Sequence, residues 1–164
     1  MTDNSDNWEH EIANLLTELA GVQRDLLAVL SEKRQMIMSG NGAGLTAVAA
    51  RENELAARLQ ACHTHRQQLL HQAAGAGLPA DSIQSLSRAL PANSRGRFAG
   101  DIQHAQDRSR ILQHECLTNW VLVQRTLLRL SQLVEIIATG GRMKPTYGNG
   151  SDCQDHGALM DRAA

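Results

Sequence analysis

Apolar residues recur at alternating steps of three and four along two long stretches of the chain. In the first, Ile12, Leu15, Leu19, Val22, Leu26, Val29, Lys33 and Met36 follow one another; in the second, Leu45, Val48, Glu52, Leu55, Leu59, Cys62, Arg66, Leu69 and Ala73 do the same. This spacing places each set on one stripe of a helix, the a/d seam of a coiled coil. Leu16, Leu27, Leu30 and Leu70 widen the stripes, so each helix has surface for more than one partner. Between them lies Ser39-Gly40-Asn41-Gly42-Ala43-Gly44, a helix-stopping cluster with Gly and Asn suited to a left-handed cap. The pattern predicts one helix over about 8–38 and a second over about 45–74, each roughly 45 Å long at the α-helical rise. Equal lengths and a short loop make the pair an antiparallel hairpin.

A turn centred near residue 42 sets a register in which residues whose numbers add to about 84 face each other. The charged exceptions in the seams then meet opposite charges, Lys33 near Glu52 and Arg66 near Glu18. A lone charge on a buried seam costs several kcal/mol, so paired exceptions would specify the alignment, as polar seam residues do in coiled coils. The alternative is that these long side chains snorkel outward at the edge of the seam.

Gly75, Gly77, Pro79, Pro91 and Gly96 interrupt the period and bracket a short helix expected over about 81–90, with Ile83, Leu86 and Leu90 on one side. A third long helix is expected from about residue 94 to 139. Its stripe includes Phe98, Ile102, Ala105, Leu112, Cys116, Trp120, Val123, Leu127, Leu130, Val134 and Ile137. Around Val121–Val123 and Leu127–Leu130 it is apolar on more than one face, which predicts that this half is the most enclosed. Gly140-Gly141 ends it, and the following tail has Pro145, several glycines and no sustained period. The expected fold class is all-α: an elongated antiparallel three-helix bundle over residues 1–139, with a flexible C-terminal arm over 140–164.

Composition narrows the picture further. The 164 residues suit one domain, and the 2% aromatic content leaves little to build a sheet. With Lys+Arg 16 against Asp+Glu 17 there is no global field to draw in nucleic acid or an anionic lipid surface. No apolar run is long enough to span a membrane. The first ten residues are polar and acidic, unlike a secretory signal. Cys62, Cys116 and Cys153 form an odd, scattered set that suits reduced thiols. The expected location is the cytoplasm.

No residue set points to chemistry. The Gly-rich run at 39–44 lacks a Gly-Lys-Ser/Thr ending and a preceding strand, so it is not a phosphate loop. Cys62, His63 and His65, and His114-Glu115-Cys116, lack the three- or four-residue spacing that helical metal ligands need. Cys62 and Cys116 fall on seams and read as small buried hydrophobes. No histidine is followed by the Lys-Gly of a phosphotransfer site, and no nucleophile–base arrangement stands out. Arg88, Arg95, Arg97, Arg108 and Arg110 form a modest basic cluster, diluted by Asp101 and Asp107, that reads as a solvated helix start. The expectation is no catalysis, no cofactor and no metal. The tail carries Met143, Pro145, Tyr147, Leu159 and Met160; it reads either as a segment that folds on binding or as an unselected end.

One arrangement of residues is distinctive. Leu26-Leu27-Ala28-Val29-Leu30-Ser31-Glu32-Lys33-Arg34, a Gly-containing turn, then Glu54-Leu55-Ala56-Ala57-Arg58-Leu59 and Arg66, resembles the hairpin of the FlgN family of flagellar export chaperones. Thr146-Tyr147-Gly148-Asn149-Gly150 is similar to the Thr-Tyr-x-x-Gly signature that follows that family's last helix. The likeness covers about residues 8–150. It implies a cytoplasmic chaperone that holds the C-terminal segments of hook-associated proteins of the FlgK and FlgL type, prevents their premature assembly and delivers them to the membrane protein of the type III export gate. It also implies a partner-binding region at the end of the third helix and in the arm, where Val134, Ile137, Met143, Thr146, Tyr147, Gly148, Gly150, Leu159 and Met160 lie, with Tyr147 docking on the gate. The competing reading is a structural coiled-coil protein whose seams serve self-association and whose tail is inert.

Overall fold

The computed structural model describes residues 2–139, which form four helices: α1 (Thr2–Ser39), α2 (Leu45–Gly75), α3 (Ile83–Ala89) and α4 (Ala92–Thr139). No strand occurs among the described residues. The chain divides into two compact units, Met1–Leu127 and Leu128–Ala164, the second described only through the end of α4.

In the first unit α1 and α2 form an antiparallel hairpin whose ends share one device. Gly40 has φ 69°, Asn41 N–H donates to Met36 O at 3.0 Å and Gly40 N–H to Ile37 O at 3.3 Å. At the end of α2, Gly77 has φ 74°, Leu78 N–H donates to Ala73 O at 2.9 Å and Gly77 N–H to Ala74 O at 3.0 Å. Both are Schellman caps, which satisfy the last carbonyls through a left-handed residue that glycine adopts without a Cβ clash. α1 begins at Thr2, ahead of the expected start near residue 8. Trp8, at the expected start, is buried in the core.

The core has two centres. In the larger, Ile12 and Leu15 of α1 meet Leu69 of α2, Leu86 of α3, and Phe98 and Ile102 of α4. In the smaller, Leu26, Val29 and Leu30 meet Val48, Leu55 and Leu112. The short helix α3 starts with a capping box, in which Ser85 N–H donates to Ser82 Oγ and Ser82 N–H to Ser85 Oγ, both at 3.0 Å. Its apolar face, Ile83 and Leu86 with the C-cap Leu90, is buried.

Two features of the helices differ from the sequence expectation. The first concerns α2, which buries Val48, Leu55, Cys62 and Leu69, one residue every seven, plus Ala73. The alternate row of its seam is not enclosed: Glu52 and Leu59 are half-buried and Arg66 is exposed. The second feature is the C-terminal half of α4, expected to be the most enclosed part of the chain: Val121–Val123 are half-buried, and from Leu127 onward it is open. In the first unit Leu117, Trp120 and Leu127 are 59%, 60% and 54% exposed. In the second, every residue from Leu128 to Ala138 is exposed, with Ile137 at 79%. All-round apolarity shows that a helix has surface to cover, and it does not say that the same chain supplies the cover. Cys116, expected as a buried seam residue, is likewise exposed, whereas Cys62 is buried.

Candidate functional site

Two ion pairs join α1 and α2 near the hairpin turn. Lys33 Nζ lies 2.6 Å from Glu52 Oε2, both side chains about three-quarters buried, and Arg51 Nη1 lies 2.7 Å from Glu32 Oε2. Both pairs fall within one residue of the register that a turn at residue 42 sets. Nearer the open end, His65 Nε2 lies 3.3 Å from Glu11 Oε2. Glu18 and Arg66 are both exposed and no ion pair joins them. Glu18 instead lies close enough to Cys62 for its charge to add to burial in pushing that thiol above the ordinary cysteine range.

The contact between α1 and α4 depends on polar residues that the seam pattern did not single out. Gln23 is 1% exposed; its Nε2 donates to Ala105 O at 3.0 Å and Ser109 Oγ at 2.9 Å, and its Oε1 accepts from Arg108 Nε at 3.2 Å. Asn119, 2% exposed, donates from Nδ2 to Leu30 O at 2.9 Å, and Arg34 pairs with Glu115. A buried amide without partners is costly, so these bonds fix where α4 lies along α1. The available signal was positional: Gln23 follows Leu19 by four, and Asn119 follows Leu112 by seven, so both lie on core-facing stripes.

A groove of about 890 Å³ is lined by residues of α1, α2 and α4 and by Ser82–Gln84 at the start of α3. Leu15, Leu19 and Leu26 of α1 form its floor, Leu59 lies on one wall, and Ala105 and Leu112 on the other. Arg66 and His63 line the α2 side and Arg110 the α4 side, and no Asp or Glu among the described residues lines it. Cys116 sits at the end nearer the hairpin turn. There, partial desolvation and the charge of Glu52 push its thiol above the ordinary range, with Lys33 opposing.

The second unit presents a different surface. Leu128, Leu130, Leu133, Val134, Ile136 and Ile137 are all exposed along one stretch of α4. Val134 and Ile137, which the resemblance assigned to partner binding, therefore stand open to solvent. Met143, Thr146, Tyr147, Gly148, Gly150, Leu159 and Met160 lie outside the described residues. Among the described residues no helix is long and apolar enough to cross a membrane, and no group of three His, Cys, Asp or Glu is placed to hold a metal ion.

Comparison with curated proteins and with solved structures returned no match. A family model for the FlgN protein matches residues 1–152, nearly the whole chain, including the hairpin, α4 and the Thr-Tyr-Gly-Asn-Gly element. The chain therefore belongs to the FlgN family of flagellar export chaperones.

Proposed function

We propose that this protein holds the C-terminal segments of hook-associated proteins in the cytoplasm, keeps them from assembling early, and hands them to the export gate. The observation that carries this reading is the stretch from Leu128 to Ala138, where six large apolar side chains are exposed on a helix. An exposed apolar helix face of this kind suits a partner segment that is itself amphipathic and orders on contact. Val134 and Ile137 belong to that face, and the arm from Met143 to Met160 extends the candidate surface in sequence. Holding by apolar burial needs no nucleotide, and its affinity is reduced by the cost of ordering the partner.

The test is isothermal titration calorimetry of the full chain with the C-terminal segments of hook-associated proteins from the same organism, beside a 1–139 truncation. Binding by the full chain, weakened in the truncation, which keeps the Leu128–Ala138 face and lacks the arm, is the expected result. Absence of heat from the correctly folded full chain overturns the reading and favours the self-assembling structural alternative. For gate docking, Tyr147→Ala is expected to leave circular dichroism and melting unchanged while reducing export of the hook-associated proteins. A Tyr147→Ala chain that unfolds would make Tyr147 a core residue and end the docking idea.

A further inference from the structure

α4 is one unbroken helix from Ala92 to Thr139, and it carries a second exposed stripe besides the one just assigned to cargo. Arg110, Leu117, Trp120, Val121, Leu128 and Glu135 fall within about a third of the helix circumference at the α-helical repeat. Leu130, Val134 and Ile137 lie on a different side, where they continue the stripe of Phe98, Ala105 and Leu112. Val121 is half-buried, whereas Leu117, Trp120 and Leu128 are 59%, 60% and 62% exposed, so no other described part of the chain covers them. A tryptophan exposed between leucines, on a helix anchored to α1 by its other side, is a surface for another molecule.

The order of residues along the stripe selects the occupant. Between Arg110 and Glu135 no other Asp, Glu, Lys or Arg falls on it. Its midpoint lies between Leu122 and Val123; Leu117 and Leu128 are equidistant from that point, and so are Arg110 and Glu135, which carry opposite charges. Side by side and antiparallel, two such helices set Leu117 against the partner's Leu128 and Arg110 against the partner's Glu135, with Trp120 beside the partner's Leu127. The twofold axis repeats each contact, as an isologous interface requires. A parallel pair would place arginine on arginine and glutamate on glutamate, which is unfavourable. We propose that two copies of this chain pair through α4, antiparallel, along the stripe from Arg110 to Glu135, about 38 Å of helix at the α-helical rise. The pairing takes only Leu128 from the cargo face, leaves Leu130, Val134 and Ile137 of each copy open, and does not depend on the cargo reading.

The experiment is sedimentation equilibrium of the full chain carrying Cys116→Ser and Cys153→Ser, so that no exposed thiol links copies. A dimer in equilibrium with monomer at micromolar concentrations is expected. Arg110→Glu is expected to raise the dimer Kd at least tenfold with an unchanged circular dichroism spectrum, because the axis turns two ion pairs into two like-charge contacts. Adding Glu135→Arg to the same chain is expected to restore pairing, a rescue that a purely structural role of either residue would not give. In the same background, mixed Leu117→Cys and Leu128→Cys chains are expected to form a disulfide with each other severalfold faster than either does with itself. A monomer at every concentration overturns the proposal, and so does a dimer whose Kd ignores Arg110→Glu. Faster coupling of Leu117→Cys chains among themselves overturns the antiparallel register. None of these outcomes alters the cargo titration, which tests the chaperone reading separately.

Discussion

The two halves of α4 carry the same apolar period and meet opposite surroundings. Phe98, Ile102, Ala105 and Leu112 are buried, and Leu127, Leu130, Val134 and Ile137, further along the same stripe, are exposed. The first half is held by more than apolar contact, since Gln23 bonds to Ala105 and Ser109, and just past the midpoint Asn119 bonds to Leu30. Full burial of a large aliphatic side chain is worth about 1.5–3 kcal/mol. The six exposed ones between Leu128 and Ile137 each forgo a good part of that. A helix can sustain this only if the core elsewhere is sufficient, and the forgone burial is then available to a partner. The comparison separates residues that make the fold from residues that the fold makes available.

The largest test of that separation is truncation on either side of it. Ile12→Ala or Leu86→Ala, both sites fully buried, is expected to lower the unfolding free energy by about 2–5 kcal/mol in urea titrations. Ile137→Ala is expected to change it by less than about 0.5 kcal/mol, as surface substitutions do, while weakening binding of the cargo segment. Equal stability losses at the two kinds of site would mean that the end of α4 is part of the core.

Gln23 gives the next effect in size. Gln23→Ala removes three hydrogen bonds and opens a cavity at the α1–α4 contact, an expected loss of about 2–3 kcal/mol. Gln23→Leu refills the volume and is expected to recover part of it. If Leu restores nothing, the bonds and not the packing hold α4 in place; if Ala costs nothing, the clamp has no share in positioning α4.

How much of this was legible follows from the same contrast. The hairpin could be read because its seams are periodic and helix-ending residues follow each of its helices; Gly40 after α1 and Gly77 after α2 take the left-handed geometry that such ends need. The Lys33–Glu52 contact follows from register arithmetic alone. Enclosure could not be read in that way. The stripe through Trp120 and Leu127 looks like core in a sequence, because periodicity reports which side of a helix is apolar and carries no information on which molecule covers it. For the same reason the second row of α2 reads as seam in the sequence, although Leu59 and Arg66 line a groove and Glu52 pairs with Lys33. Gln23 and Asn119 do not stand out in the sequence, because an apolar period is drawn through apolar residues alone, whereas a buried amide with partners obeys the same periodicity as its apolar neighbours.

The Lys33–Glu52 pair is expected to have a smaller energetic share. Both side chains keep about a quarter of their exposure, so a double-mutant cycle with Lys33→Ala and Glu52→Ala is expected to give a coupling of about 1 kcal/mol or less in urea titrations. A coupling of several kcal/mol would show that the pair behaves as a buried one and fixes the hairpin alignment against strong competition.

The smallest effect reads the groove's end directly. Cys116 is exposed enough to be alkylated, yet partial desolvation and the charge of Glu52 raise its thiol pKa while Lys33 lowers it. Only the thiolate reacts, so at neutral pH a raised pKa means slow alkylation that accelerates as pH climbs through the folded-state value. In a Cys153→Ser chain, where buried Cys62 is protected, Glu52→Gln removes the opposing anion and is expected to speed alkylation of Cys116 at fixed pH. Lys33→Ala is expected to slow it. The sign, more than the size, carries the information: opposite responses require both charges to be felt at Cys116 on the facing helix, across the end of the groove. If neither substitution changes the rate, the two walls are farther apart there than described, and the groove is open at that end.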